Sequence, residues 1–285
     1  MSLYKFQNVN DNNLSALDSY SAWFSKPQLF NDPFEGLFIE ELREITETEI
    51  VKAYQYLAKK PERKKKLKIP HGQSVENWLT ERMIKTPLVV REYIVDWVRA
   101  EIHAHQDSFY NSGVFCCMRE KNGENPINNH LMWGHYGDGL KGFVIEIDSE
   151  ELPNTLPFIS DSMSLTEVLY KDKPPVINPI DYLIKKTESE EIKLQELTKI
   201  IDDIMSTKNT HWEYENEVRF INHNKGNVLI PYREKSIKTI ILGSKMPRWQ
   251  QDTLKSITKN IGVERIGIAS INPRDYSLDI KYSIV

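Results

Sequence analysis

HWEYENEVRF, residues 211–220, places Glu213, Glu215 and Glu217 at every second position, with Arg219 two further on. In an extended strand these four side chains share one face, and Tyr214, Asn216 and Val218 take the other. Three like charges crowded on one face cost stability unless something in the fold compensates them. In a helix, Glu215 and Arg219 would instead stand four apart, in the favoured order of an ion pair worth about 0.2–0.5 kcal/mol. Both readings stay open at this level. The first puts a polar site on a sheet, and the second puts solvated charges on a helix.

Outward from this stretch, KNT precedes it and the apolar run NVLIPY follows. Next come IKTIILG, ending at Gly243, a helix over Pro247–Ile261 with proline in its first turn, and strands near Arg265–Ala269 and Leu278–Ile284. Upstream, SGVFCCM (112–118) and KGFVIEID (141–148) read as strands flanking HLMWGHYGDGLKG, whose Gly137-Asp138-Gly139 reads as a hairpin turn. The N-terminal stretch predicts a strand over Leu3–Phe6, a brief helix near Leu14–Tyr20, a strand over Ala22–Ser25 and a turn at Asn31-Asp32-Pro33, where Asn31 can bond its own backbone. From about Glu40 to Gln106 apolar residues recur at three- and four-residue spacings, which predicts an inserted helical subdomain over 40–110. Glu188–Met205 has the same amphipathic pattern. The expectation is a single α+β domain over 1–285, mixed and mainly antiparallel, with small sheets around a cleft.

Formal charge is -4 and the pI is near 6.0, so the chain lacks the extended positive field of a general nucleic-acid or membrane surface. An anionic ligand must therefore be met by local cations. The basic run KKPERKKKLK (59–68) reads as a solvated junction, with contact to an acidic partner as the alternative. No stretch reaches the roughly 18 apolar residues of a membrane span, and the two cysteines, Cys116 and Cys117, are adjacent. They form neither a disulfide framework nor a metal knuckle, and the expected location is a reducing cytoplasm.

Four stretches together resemble DUF2971, a bacterial family of uncharacterised proteins: LYKF, FSKPQLFNDPFEG (24–36), MWGHYGDGLKGFVIEID (132–148), and KNTHWEYENEVRF (208–220) with IILG (240–243). A second resemblance is to ADP-ribosyltransferase domains, including DNA-modifying toxins of the DarT type. It rests on a tyrosine on the first strand, a short helix, an aromatic-Ser strand ending at Ser25, a middle strand, and a later strand opened by Glu. That resemblance implies three NAD-holding positions on separate strands: Tyr4-Lys5, the Phe115-to-Met118 strand, and Glu217. The chain departs from the pattern in having no arginine or histidine at the first position and no Ser-Thr-Ser on the middle strand.

Cleaving the nicotinamide–ribose bond develops positive charge on the sugar, which a fixed carboxylate stabilises. Glu217, at the mouth of VRFI, is the candidate for that role, and Glu215 is the candidate to orient or deprotonate a nucleophile. His135 is a further acid–base candidate, or else a structural histidine. Arg219 and Lys5 are candidates for the pyrophosphate. Trp133, Tyr136, Trp212 or Tyr4 would wall a flat ring, with core packing as the alternative for the tryptophans. Ser25, Asp32 and Glu35 are further cofactor-binding candidates; Asp32 is most simply a turn former, whereas Glu35 has no turn duty and could pair with Arg219 across the site. Expected partners are a nucleotide and an acceptor, either protein or nucleic acid, with no membrane; the expected cofactor is NAD, with no metal. His103 and His105 diverge on a helix and His130 and His135 match no zinc pair. Two other classes remain: a non-catalytic module of phage defence or stress response, and a nuclease gathering Asp32, Glu35, Glu215 and Glu217 around Mg²⁺.

Overall fold

The computed structural model describes residues 2–59, 68–121, 123–148, 163–187, 203–231 and 235–285. The basic run over 59–68 falls largely outside these, and so does the helix expected over Glu188–Met205 apart from its last residues. Two compact units form, and the division does not follow chain order. One gathers residues 1–35, 110–172 and 208–285, and the other 36–109 and 173–207. The helical stretch read from sequence lies in the second unit, together with a later segment that no local pattern had linked to it.

In the first unit, one sheet has eight strands in place of the small sheets expected; the class is α+β. In spatial order they are β14 (Leu278–Ile284), β13 (Arg265–Ile271), β12 (Ile237–Gly243), β5 (Phe143–Asp148), β1 (Ser2–Gln7), β4 (Gly113–Arg119), β10 (Glu217–Asn222) and β6 (Met163–Glu167). All neighbours pair antiparallel except β12 and β13, which are parallel and joined by helix α7 (Arg248–Asn260). Period-two alternation splits the apolar residues between faces. Ile240 and Leu242 pack with Phe143, Val218 and Leu254 of α7, whereas Ile241 packs with Tyr4, Phe6 and Trp133 on the opposite face. Each such side chain contributes about 1.5–3 kcal/mol on full burial. α1 (Asp11–Asp18) is capped by Asn10, whose side chain accepts from the Asn13 N–H. β2 (Ser21–Phe24) pairs with β11 (Val228–Pro231).

Two glycines are required by close backbone approach. A Cβ on Gly142 would lie 2.2 Å from the Gln7 carbonyl oxygen, and one on Gly243 would lie 2.1 Å from that of Leu140. Gly137-Asp138-Gly139 does not close a hairpin. It carries the chain from the short helix α5 (His130–His135) into β5, and the Gly137 N–H bonds back to Met132.

In the second unit, α2 (Glu47–Ala58), α3 (Val75–Lys85), α4 (Pro87–Asn111) and α6 (Pro179–Thr187) enclose an apolar cluster that includes Tyr54, Trp78, Ile94 and Leu183. α2 opens with a reciprocal cap in which Thr46 and Glu49 each satisfy the other's backbone N–H. Strands β3 (Ile39–Glu40) and β8 (Val176–Ile177) form a two-residue parallel ladder in this unit.

Candidate functional site

HWEYENEVRF is neither a continuous strand nor a helix. Residues Thr210–Glu215 form a 3-10 turn, Asn216 takes the left-handed conformation at φ 39° and ψ 55°, and β10 begins at Glu217. Asparagine tolerates that conformation better than most residues because its short polar side chain bonds locally. Here the Asn216 side-chain amide donates to the Arg119 carbonyl at 2.7 Å. The kink breaks the alternation. Glu213 is exposed and pairs with Lys121, while Glu215 and Glu217 are buried.

Both buried carboxylates converge on Lys208, from β9 (Thr207–Asn209), whose ammonium lies 2.8 Å from Glu215 and 2.6 Å from Glu217. Arg219, fully buried, donates through Nε to Glu217 at 2.8 Å and through its two terminal nitrogens to both oxygens of Glu35. The Glu35–Arg219 pair suggested by sequence therefore forms. Its geometry, however, commits the guanidinium to two carboxylates, leaving Arg219 a structural cation rather than a phosphate ligand. The Tyr136 hydroxyl donates to Glu215, and the Tyr170 hydroxyl, on β7 (Leu169–Lys171), accepts from the Glu217 N–H.

Burial alone would raise Glu217, but the Arg219 guanidinium and the Lys208 ammonium outweigh it and hold the carboxyl well below the usual range. Glu215 goes the other way, because burial raises it more than Lys208 lowers it, and Glu217 adds to the rise. Burial would lower Lys208, yet Glu217 and Glu215 push it well above the ordinary ammonium value. Two neighbouring carboxylates are thus driven apart, one fixed as an anion and the other displaced toward neutral pH.

The cluster borders a cavity of about 190 Å³. Its origin is visible in the strand ladders. β1 and β4 pair only at Leu3–Arg119 and Tyr4–Met118, while β1 stays paired with β5 through Gln7 and β4 with β10 through Gly113. Beyond Tyr4 the two strands part, and Ser25 bridges to Val114 farther along β4. The space between carries Lys5, Phe6, Cys116 and Cys117 on its walls, and the exposed Leu29 and Asn31 mark its open side. Unpaired edges of β1 and β4 offer main-chain donors and acceptors to an occupant. A dry cavity of roughly 150 Å³ holds benzene, so this one holds a single ring, and anything larger continues through the opening.

Of the residues singled out by sequence, Tyr4, Lys5, Ser25, Tyr136, Glu215 and Glu217 line this cavity. Glu35 and Arg219 brace it from behind. Among the described residues Lys5 makes no ion pair, and its ammonium stands 5.1 Å from the centre of the Phe115 ring. Trp133 is instead a core residue, 2% exposed, with its indole N–H donated to the Ile127 carbonyl. His135 is exposed and bonded to the Tyr214 hydroxyl at 2.7 Å, and Trp212 meets it edge-on; neither lines the cavity. Asp32, rather than Asn31, makes the turn, accepting from the Phe34 N–H at 2.9 Å. Asp32 is therefore absent from the cluster, and Lys208 and Arg219 occupy the space between the remaining carboxylates that a Mg²⁺ ion would need. Among the described residues no group of three His, Cys, Asp or Glu side chains could hold a metal ion.

Lys208 and Tyr170 were not anticipated. The available signal for Lys208 is its position as a lone base just ahead of an acid-rich run; Tyr170 has none.

Residues 132–220 match the family described as "Protein of unknown function (DUF2971)". Over these residues the chain is similar to DUF2971. The DUF2971 stretch contains Tyr136, Tyr170, Lys208, Glu215, Glu217 and Arg219, whereas Tyr4, Lys5, Ser25 and Glu35 lie before it. No curated protein and no solved structure matches the chain. The DUF2971 description carries no activity, so the chemistry must be argued from the cavity itself. No helix among the described residues is long and apolar enough to cross a membrane.

Proposed function

We propose that the cavity takes the nicotinamide ring of NAD or a related nucleotide, and that the protein cleaves the nicotinamide–ribose bond as an ADP-ribosyltransferase or NAD glycohydrolase. The observation that carries this reading is Glu217, a carboxylate on a strand end beside a ring-sized cavity, held ionised by two buried cations.

In the reaction the C1′–N bond breaks and its electron pair leaves with neutral nicotinamide. The resulting cationic ribose is met by Glu217, whose orientation is fixed before the charge develops, so little reorganisation is needed. Water or an acceptor nucleophile, on a protein or a nucleic acid, then bonds to C1′ and loses its proton. Glu215 suits that proton because its affinity for one is raised and Tyr136 orients it. Lys5, without an ion pair among the described residues, is the cation left for the pyrophosphate outside the ring cavity. Tyr4 and Phe6 supply flat apolar wall, and the unpaired edges of β1 and β4 suit a carboxamide, which both donates and accepts.

The test is nicotinamide release from NAD, measured by chromatography, for wild type and Glu217→Gln. Loss of one such group typically costs a factor of about 100 or more; a drop of that size with retained folding is expected. Absence of both release and a heat of NAD binding in the wild type overturns the reading. A non-catalytic module is then favoured, for which the internal compensation of Glu35, Glu217, Arg219 and Lys208 is the supporting observation.

A further inference from the structure

We propose that the first unit carries a second ligand site, for a small aromatic acid, in a cavity of about 360 Å³ at the carboxyl ends of β12 and β13. Those two strands are the parallel pair of the large sheet, joined through α7. Lys245 follows the end of β12 and Ile271 ends β13, and both line this cavity. Its volume lies within the roughly 300–1,000 Å³ of small-molecule sites. It shares no lining residue with the cavity beside Glu217, so it stands independently of the NAD reading.

Trp133, Leu140 and Leu278 make an apolar wall, and Ile271 lines the cavity while 55% exposed. Tyr276, on the loop between β13 and β14, also lines it yet is 97% exposed. An aromatic ring laid against Tyr276 and Ile271 removes apolar surface from water and gains ring–ring contact with the phenol beyond that burial. Gly134 and Gly139 also line it, and a Cβ on Gly134 would meet nothing within 4 Å, which leaves room for a larger side chain there.

Charge selects the substituent on that ring. Asp275 is committed within its own loop, where it accepts from both the N–H and the hydroxyl of Ser277. Lys245 and His130 line the cavity, are exposed, and have no ion-pair partner among the described residues. Lys245 is thus the cation open to a ligand, and an acidic substituent placed beside it on the ring fits this cavity.

The probe is 2-naphthoate, with neutral 2-naphthamide as its isostere, titrated by calorimetry into the full chain. The acid is expected to bind about tenfold tighter than the amide, the size of one charge-assisted contact, and Lys245→Ala removes that difference. Tyr276→Ala weakens both probes alike by about two- to tenfold. Gly134→Leu, which fills open space on a helix and keeps the fold, abolishes binding of both. The proposal is overturned if 2-naphthoate gives no heat of binding at millimolar concentration, if the amide binds as well as the acid, or if Gly134→Leu still binds.

Discussion

Replacing Lys208 with methionine removes the one ammonium shared by two buried carboxylates while keeping an unbranched side chain of similar length. The ammonium and both carboxylates are at most 5% exposed, with nitrogen–oxygen distances of 2.8 and 2.6 Å. At an effective dielectric of about 20, each contact corresponds to roughly 6 kcal/mol of attraction, most of it offset by desolvation. What remains when one partner of a buried pair is deleted is an uncompensated charge, costing about 3–5 kcal/mol. At about 2–4 °C per kcal/mol for a unit of this size, the melting temperature falls by about 10 °C.

The loss must also depend on pH. Glu215 already has its folded-state affinity for a proton raised. A carboxyl with a raised folded pKa contributes stability that is present below its unfolded value and is lost as pH rises through the folded one. Removing Lys208 raises that folded value further, so the deficit of Lys208→Met is smallest near pH 4 and grows toward neutral pH. Adding Glu215→Gln recovers about 1–3 kcal/mol at neutral pH, because Glu217 still has Arg219. Urea unfolding of the two single variants and the double variant across pH 4–8 measures all three quantities. A cost below about 1 kcal/mol that is flat with pH refutes the argument that these charges depend on one another.

Gly243→Ala forces a Cβ to within 2.1 Å of a backbone oxygen and is expected to destabilise by at least the roughly 1–3 kcal/mol of overpacking, whereas Gly134→Ala, with nothing nearby, gains about 0.5–1 kcal/mol of helix propensity; thermal melts separate them. Hydrogen bonding from Arg43 holds Glu49 at about 2, so its stabilising contribution is complete above the unfolded value and is lost as pH falls through about 2. A carboxyl NMR titration of Glu49 should show that midpoint, and Arg43→Met should return it toward 4.5. Burial pushes Cys117 up to about 12 and raises Cys116 well above its ordinary value. Iodoacetamide at pH 8 should therefore label both cysteines, which line the cavity, far more slowly in the native protein than in denaturant.

Much of the fold is legible locally. SGVFCCM, KGFVIEID and IKTIILG alternate or run apolar between turn residues, and the strands fall within a residue or two of those limits. The reading failed where one residue changed the period. Asn216 in the left-handed region separates Glu215 from Glu217, so a pattern that looks like four residues on one strand is a turn followed by a strand. Trp133 and Trp212 could not be told by residue type from walls of the cavity beside Glu217, because an indole in a core and an indole in a pocket have the same sequence signature.

The sequence by itself determined the element types, the α+β class and the short acidic run from which the candidate carboxylates come, because periodicity and turn chemistry are properties of near neighbours. Tertiary structure alone decided which charges compensate one another. Arg219 meets Glu35 across a separation of 184 residues, and the cavity exists because β1 and β4 stop pairing after Tyr4. The physical reason is that the proton affinity of a buried carboxylate depends on what lies within a few ångströms of it, and those neighbours arrive from distant parts of the chain only when the sheet assembles.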